Sequence, residues 1–464
     1  MKLSESDKTS SILILFFICL LIIAIPVVQC SRKDPINSSV VLSLPLYPYS
    51  SILKQHRHRN YTQLKQSRIA ADAARINSIS SRIRYKGHNH NDPFHQQAKT
   101  SPRTAVFPNA YQTYLVNIGV GQPEKQIFLV MDTGSSITWL QCQPCDPCFF
   151  QFGPVFDPSN SSTFSLLPCS SPQCSSIPNE EKLCSGESCG YTIAYGDGSD
   201  QSSGIYATET LTFDDSPVKG IAIGCGHTSL TPPNGFSSAA GIIGLGLEPQ
   251  SFPSQINASS FSYCLVAMDS GKFSPLEFNS APPIDSVFTP MVTNPKTATQ
   301  FYYLGLAGIT VGGTLLPIPA TLFDFHDDGT GGVILDSGSS LTYFPLDVYQ
   351  PLSDAITQRA PPGSYLDPSD PTCYEITSDD SLEKFPEVGF VFAGNNGNKT
   401  LTFGPRNYMM KPDDPGSKLY CWCFELSPFG DSDTQTIIGM RQQQGIRITF
   451  DLVNKQIGFS LNKC

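Results

Sequence analysis

Two short segments of the chain set an aspartate where it could do chemistry. Gln126-Ile-Phe-Leu-Val-Met-Asp132-Thr-Gly-Ser-Ser136 is an apolar run that ends in Asp-Thr-Gly-Ser-Ser. Gly332-Val-Ile-Leu-Asp336-Ser-Gly-Ser-Ser340 repeats it, with the second Asp 204 residues after the first. One such tetrad is an ordinary strand-end turn, because Asp, Ser and Gly all favour turns. Two copies carry more information, because each is followed roughly a hundred residues later by the same apolar pair and glycine, Ile242-Ile243-Gly244 and Ile437-Ile438-Gly439. The pattern reads as two related lobes with one strand-loop device each.

The residue types have a definite use. Gly134 and Gly338 permit a sharp turn and close backbone approach. Thr133 and Ser337 offer hydroxyls that can reach the opposing loop, and Ser135 and Ser339 can hydrogen-bond their own Asp. Two such loops meeting would bring Asp132 and Asp336 together. Two carboxylates in contact cannot both ionise, so one proton is shared and the pair titrates as a unit. One carboxylate can then take a proton from a bound water while the other, protonated, polarises a carbonyl. That is the chemistry of hydrolysis by an activated water.

The elements that must position these loops are strands. From Tyr111 onward, short β-branched and aromatic runs alternate and are broken by Gly, Pro, Asn and Asp, which predicts a mostly β fold. Tyr114-Leu-Val-Asn-Ile-Gly is one such run. The 464-residue chain is 40% hydrophobic and 15% charged, enough to bury large cores and too apolar for disorder or a coiled coil.

Charge divides the chain. Residues 31–106 hold 13 Lys+Arg against 3 Asp+Glu, whereas residues 107–464 hold 15 against 35. The body is therefore strongly acidic, which argues against nucleic acid as a partner. The basic segment lacks Cys, and Leu53 to Arg84 reads as helical. Its positive face could lie across an acidic groove, as a propeptide would; the alternative is a disordered basic tail. Ahead of it, Ile12 to Val28 is an apolar run preceded by Lys2 and Lys8 and followed by polar residues from Ser31. This fits a secretory signal ending near Cys30, with an uncleaved anchor as the alternative. Thirteen of the 15 cysteines lie beyond residue 140. In an oxidising compartment that number reads as a disulfide framework with one thiol left over. Cys142-x2-Cys145-x2-Cys148 could otherwise be a metal or iron–sulfur motif, but a signal segment and ten further cysteines favour disulfides. Sequons at Asn160, Asn257 and Asn398, and at Asn37 and Asn60 in the basic segment, fit a glycosylated secreted protein.

With both loops in view, the sequence resembles the pepsin-like aspartic proteases over roughly Tyr111 to Cys464. In that family a shared-proton carboxylate dyad is established behaviour. The resemblance implies a bilobal, mostly β fold with a cleft between the lobes and endopeptidase activity in acid. It implies Asp132 and Asp336 as the catalytic pair. Tyr195, before Gly196 in Ala194-Tyr-Gly-Asp-Gly-Ser199, resembles the tyrosine of a hairpin flap, and Trp139 resembles its hydrogen-bonding partner. The Ile-Ile-Gly segments resemble the strands threading behind each catalytic loop, and Gln442 to Cys464 the closing strands.

The Cys-rich stretch between the first loop and the flap resembles the nepenthesin-like plant enzymes. That resemblance implies the bridges Cys142–Cys145, Cys148–Cys225, Cys169–Cys189, Cys174–Cys184 and Cys264–Cys464. It pairs Cys373 with Cys421 or Cys423, of which Cys421 fits better. The organisation expected is a signal peptide over 1–30, a propeptide over 31–106, an N-terminal lobe over 107–290 and a C-terminal lobe over 291–464. The expected partners are protein or peptide substrates and the chain's own propeptide as an intramolecular inhibitor, with a monomer as the assembly. No metal or organic cofactor is expected, and the expected location is extracellular or apoplastic, with the vacuole as a second destination. Plants also make secreted proteins of this fold that bind other enzymes without cutting them. Those usually carry damaged loops, whereas both Asp, both loop hydroxyls, both Gly and the flap Tyr are intact here.

Overall fold

The structure, a computed structural model, describes residues 42–48, eight positions between 69 and 83, and residues 113–461 except for 196–199, 231–238, 268–271, 297–299, 368–369, 377–378, 395–396, 412–417 and 429–434. The signal segment, the propeptide junction and Cys464 lie outside the described residues.

The fold is mostly β, in two lobes of sheets. In the N-terminal lobe, Tyr114–Val120 and Lys125–Asp132 form an antiparallel hairpin, with Leu115 opposite Val130. Both strands are buried almost throughout, which is why they read as near-continuous apolar runs. Gly241–Gly244 runs parallel to the second strand, with Gly244 opposite Asp132. Trp139–Gln141 lies antiparallel on its other side, with Ile242 opposite Trp139. The C-terminal lobe repeats the device. Val333–Leu335 pairs in parallel with Thr436–Ile438, and Tyr343 of Thr342–Phe344 lies opposite Ile437. Asp132 and Asp336 thus each stand at the end of a buried strand backed by an Ile-Ile-Gly segment.

The glycines of those backing strands are required by space. A Cβ on Gly241 would lie 2.0 Å from the carbonyl oxygen of Trp139, and one on Gly439 would lie 2.1 Å from that of Leu341. Backbone oxygens cannot move aside as a flexible side chain can.

The lobes share a sheet. Ser260–Cys264 pairs with Ile446–Asp451, which pairs with Gln456–Leu461, which in turn pairs with Val287–Val292. Phe450 stacks on Phe261 at 4.3 Å and meets Tyr302 edge-on at 4.5 Å. This aromatic cluster lies beneath the junction. Among the described residues the C-terminal half also carries two four-stranded sheets. One includes Leu306–Val311, Val388–Phe392 and Lys399–Phe403; the other includes Asp370–Glu375 and Leu419–Trp422.

Part of the basic segment belongs to this body. Leu42–Pro48 is a strand between Ser274–Phe278 and Tyr114–Val120, with Leu46 opposite Val116. Positions 69, 72, 73, 75, 76, 79, 80 and 83 are helical. Ile76, Ile79 and Ile83 are buried on one helical face against Tyr303, Ile334, Leu341, Tyr343 and Cys421 of the C-terminal lobe. Burying each isoleucine is worth about 2 kcal/mol relative to exposure.

The disulfides differ from the expected pairing in the Cys-rich insert. The structure joins Cys142 to Cys225 (Cα–Cα 5.2 Å) and Cys145 to Cys148 (5.6 Å), replacing Cys142–Cys145 and Cys148–Cys225. Register explains it. Trp139–Gln141 runs parallel to Ser216–Leu230 with Leu140 opposite Cys225, and the Cys142 amide donates to the Gly226 carbonyl at 2.8 Å, so Cys142 sits over Cys225. Likewise Cys169 joins Cys184 and Cys174 joins Cys189, each with Cα atoms 5.9 Å apart, replacing Cys169–Cys189 and Cys174–Cys184. Ser171 caps the short helix Pro172–Ser175, and Cys174 and Cys189 are both buried in the cluster that also holds Trp139 and Tyr195. Cys169 and Cys184 stay on the outer side. The Cys373–Cys421 bridge is present, and Cys423 is a buried thiol. Cys264 is disulfide-bonded, but Cys464, its expected partner, lies outside the described residues. Asn160, Asn257 and Asn398 are exposed. No helix among the described residues is long and apolar enough to cross a membrane.

Substituting Gly439→Ala should destabilise the protein by about 1–3 kcal/mol through overpacking behind the Asp336 loop. Equilibrium denaturation of the purified variant beside the parent protein measures this, and an unchanged midpoint would contradict the packing described.

Candidate active site

The two Asp loops meet at the junction of the lobes through reciprocal hydrogen bonds. The Thr133 amide donates to Ser337 Oγ at 3.1 Å, and the Ser337 amide donates to Thr133 Oγ1 at 2.9 Å. Each hydroxyl then donates to the strand leading to the other loop: Thr133 to the Leu335 carbonyl at 3.4 Å, and Ser337 to the Met131 carbonyl at 3.1 Å. Every atom in this cross-link is buried, so none can exchange its partner for water.

The carboxylates are held from their own loops. Asp132 accepts from the Gly134 amide at 2.8 Å and from the Ser135 hydroxyl. Asp336 accepts from the Gly338 amide at 3.0 Å and the Ser339 hydroxyl at 2.6 Å. Both aspartates are fully buried. A Cβ on Gly134 would lie 2.8 Å from Asp336 Oδ1, so glycine is what lets the second carboxylate approach the first loop.

Two glutamines outside any motif brace the loops. Gln443 Nε2 donates to the carbonyls of Asp336 (3.2 Å) and Ile438 (3.0 Å), while its Oε1 accepts from the Tyr263 hydroxyl at 2.6 Å. Gln300 Nε2 donates to the Gly134 carbonyl at 2.6 Å. The sequence offered no signal for these, since a buried glutamine has no characteristic spacing.

Tyr195 ends the strand Ser188–Tyr195 and lies opposite Asp200, the first residue of the antiparallel strand Asp200–Phe213. Its hydroxyl accepts from Trp139 Nε1 at 2.8 Å, and the two rings lie 6.4 Å apart. The structure therefore brings Asp132 and Asp336 together with their loop partners, and Trp139 together with Tyr195. Gly196 lies outside the described residues.

One residue that the sequence reading did not single out sits at the centre. The Arg75 guanidinium spans both carboxylates. Its Nη2 is 2.5 Å from Asp132 Oδ1 and 2.7 Å from Asp336 Oδ1, its Nε is 2.6 Å from Asp336 Oδ2, and its Nη1 is 3.2 Å from Asp132 Oδ2. A planar fork with fixed donors suits two carboxylates better than a lysine point charge would. The side chain is 18% exposed. Burial alone would raise the pKa of Asp336, but the charge and hydrogen bond of Arg75, with Ser339 and Gly338, overcome it and hold the carboxyl below its usual value. The guanidinium, opposed by burial but flanked by two anions, is pushed above its ordinary range.

Three residues earlier, Asp72 is also buried. Its carboxylate accepts from the Ser340 amide (3.0 Å), the Leu341 amide (2.9 Å) and the Tyr343 hydroxyl (3.1 Å). Burial pushes its pKa up to about 6 despite these bonds and the nearby Arg75 charge. The available sequence signal for both residues was the positive charge of their segment.

Comparison with known proteins agrees with this geometry. Residues 114–278 and 301–461 match the families described as xylanase inhibitor N-terminal and xylanase inhibitor C-terminal. The chain is 39% identical to aspartic proteinase nepenthesin-2 of Nepenthes gracilis over 359 residues, covering 76% of this chain and 78% of that one. The chain belongs to the pepsin-like aspartic protease family. It is also 36% identical over 415 residues to the protein Aspartic Protease in Guard Cell 2 of Arabidopsis thaliana, covering 88% of this chain and 84% of that one. The crystal structure of edgp shares the fold of this family member with a TM-score of 0.62 at 21% identity, covering 75% of this chain and 92% of that one. Basic 7S globulin from soybean does so with a TM-score of 0.58 at 18% identity, covering 75% and 93%. As a member of this family the chain is an aspartic-type endopeptidase, a hydrolase.

Replacing Trp139 by Phe removes the hydrogen bond to Tyr195 and keeps an aromatic ring. A neutral buried hydrogen bond is worth about 1 kcal/mol, so kcat/KM on a peptide substrate should fall about fivefold. Asp132→Ala or Asp336→Ala should abolish nearly all cleavage while the fold is kept. Steady-state kinetics on the three processed variants, with circular dichroism for fold, test both statements.

Proposed function

We propose that the protein is secreted as an inactive precursor and becomes an acid-working endopeptidase when its basic segment is removed. The observation that carries this reading is the Arg75 guanidinium across both catalytic carboxylates. A water activated by the dyad needs the space between those oxygens. With Arg75 there, neither carboxylate can act as base or acid, and the isoleucines of the same helical segment pack on the C-terminal lobe beside them.

In the released enzyme, one ionised carboxylate takes a proton from a water held between the pair. That water attacks the scissile carbonyl, whose oxygen the other, protonated carboxyl polarises. The tetrahedral intermediate is never bonded to the protein. Its collapse breaks the C–N bond, and the amine leaves with a proton from the dyad. The hairpin bearing Tyr195 closes over the peptide and excludes bulk water. The cysteine framework and the exposed sequons support export, with the apoplast or the vacuole as destination.

Acid release follows from the sign of the titrations. The Arg75 pairing depresses Asp336, so that contribution to docking is present above the ordinary carboxylate range and is lost as pH falls through the depressed value. Asp72 works in the opposite sense. Its docked pKa is raised, so its contribution is complete in acid and declines as pH rises through about 6. Release in acid must therefore come from the dyad, aided by neutralisation of the acidic body that attracts the basic segment.

The family descriptions that match this chain name xylanase inhibitors, which keeps a binding role as the second reading. The intact dyad and its loop hydroxyls favour cleavage. The deciding assay is digestion of a denatured protein by the acid-treated chain at acid and neutral pH, with and without a pepsin-type transition-state inhibitor. Acid-dependent, inhibitor-blocked digestion is expected; none by a folded, processed chain would favour the binder. For the precursor, Arg75→Gln leaves two buried carboxylates uncompensated, a loss of about 3–5 kcal/mol from docking. The pH of half-maximal propeptide removal should then rise by about one unit or more. An unchanged profile would refute the assignment of Arg75.

A further inference from the structure

Gln442, Gln443 and Gln444 follow one another in the chain and are all buried. Each reaches a different part of the body. Gln442 accepts from the Thr342 hydroxyl, which itself accepts from the Gly439 amide at 3.1 Å. Gln444 Nε2 donates at 3.1 Å to the hydroxyl of Tyr114, on the strand Tyr114–Val120. Gln443 stands between them and takes the catalytic loop. Its amide donates to the main-chain carbonyls of Asp336 and Ile438 and accepts from the Tyr263 hydroxyl. Tyr263 belongs to Ser260–Cys264, the strand that pairs with Ile446–Asp451 in the shared sheet. Asp336, Ile438 and Tyr263 all belong to the body, so this brace does not depend on the helical segment that carries Arg75.

A side-chain amide neither gains nor loses a proton as the pH falls, whereas a carboxylate does. A brace built on carboxylates would therefore loosen in acid, and one built on glutamines does not. The tyrosine at its other end is equally indifferent. Burial, with the Asp336 charge second, pushes the Tyr263 hydroxyl well above its ordinary range, so it stays protonated and donating. We propose that Gln443 is a positioning residue of the cleavage reaction. It holds the main-chain carbonyl of Asp336, is itself held by Tyr263, and so fixes the second carboxylate against the first in a way that acid does not alter. The inference rests on the proteolytic reading above and adds a residue to its machinery. Gln443 bonds the Asp336 backbone and not its carboxylate, and so acts through Asp336. A dyad slightly out of place cannot share one water between its oxygens, so losing the brace falls on turnover and not on substrate binding.

The test compares Gln443→Met, Gln443→Glu and Tyr263→Phe with the parent, each as the acid-processed protein. Competent sites are counted by titration with a pepsin-type transition-state inhibitor, so that poor folding is not read as slow turnover. Met has about the length of Gln and donates nothing. Both hydrogen bonds from Gln443 to the loop and its backing strand are then lost. In Gln443→Met, kcat per competent site should fall about tenfold, with KM within about twofold of the parent. Glu offers a donor only while it is protonated. In Gln443→Glu, kcat at about pH 3 should return to within about threefold of the parent, and its ratio to the parent should fall as the pH rises and the carboxyl ionises. Tyr263→Phe should lower kcat about threefold and add little to Gln443→Met, because both changes cut one chain of hydrogen bonds. An unchanged kcat in Gln443→Met, a loss confined to KM, or a Glu variant no better in acid than the Met variant overturns the assignment, while digestion by the parent leaves proteolysis standing. If the parent digests nothing, the proteolytic reading has failed. The affinity of each variant for the same inhibitor, followed by fluorescence, then decides the assignment by the same comparisons. Should Gln443→Met fold poorly, Gln443→Glu and Tyr263→Phe keep the shape of the parent residues, and an undiminished kcat in both across the pH range overturns the proposal without it.

Discussion

Two buried carboxylates held side by side are the constraint that organises this molecule. Like charges in a low-dielectric site repel, and left alone their loops would separate. Four hydrogen bonds between Thr133, Ser337 and the strands behind them join the loops across the lobes. Gln300 and Gln443 fix the carbonyl side of the same loops. The shared sheet of Ser260–Cys264 and Ile446–Asp451, with Phe261 stacked on Phe450, keeps the lobes from moving apart beneath them. Much of the β scaffold can be understood as what it takes to hold that repulsion still.

In the proposed precursor, the same repulsion is the means of keeping the protein shut. A pair of anions is a strong site for one planar cation, and Arg75 fills it with four hydrogen bonds. A buried ion pair adds little to stability against a well-packed apolar alternative, but removing one partner is severe. That asymmetry suits a temporary block. In the proposed precursor, the isoleucine face of the helix supplies the adhesion and Arg75 supplies the sensitivity to acid. Asp72, whose docking changes with pH in the opposite sense, anchors the same helix on the Ser340 and Leu341 amides.

The cystines brace the hairpin that bears Tyr195. Cys174–Cys189 is buried in the cluster that also holds Trp139, Tyr191 and Tyr195, and Cys142–Cys225 ties the strand of Trp139 to the long strand beside the flap. The hydrogen bond from Trp139 to Tyr195 is thus set between covalently fixed strands. The insert as a whole ties down the base of the hairpin that bears Tyr195.

Much of this was legible in one dimension. The doubled Asp-[Ser/Thr]-Gly-Ser-Ser pattern, the trailing Ile-Ile-Gly segments, and Trp139 with Tyr195 are local or repeated features. Strand period, turn chemistry and a repeated motif all act over a few residues, so the sequence by itself determined the mostly β class, the two lobes and the residues of the dyad. It could not settle which of several neighbouring sulfurs joins which. The Sγ atoms of Cys169, Cys174 and Cys184 lie within 4.8 Å of one another, so spacing cannot choose between partners; register and burial did. Nor could it single out Arg75 among the 13 basic residues of its segment, or Asp72, or the bracing glutamines. Arg75 lies 57 residues before one carboxylate and 261 before the other. Such a contact has no period and no neighbour in the chain. It exists because the folded body offers a site with negative charge, little water and room for one planar cation, and those are properties of an enclosed volume, which a linear order of residues does not possess.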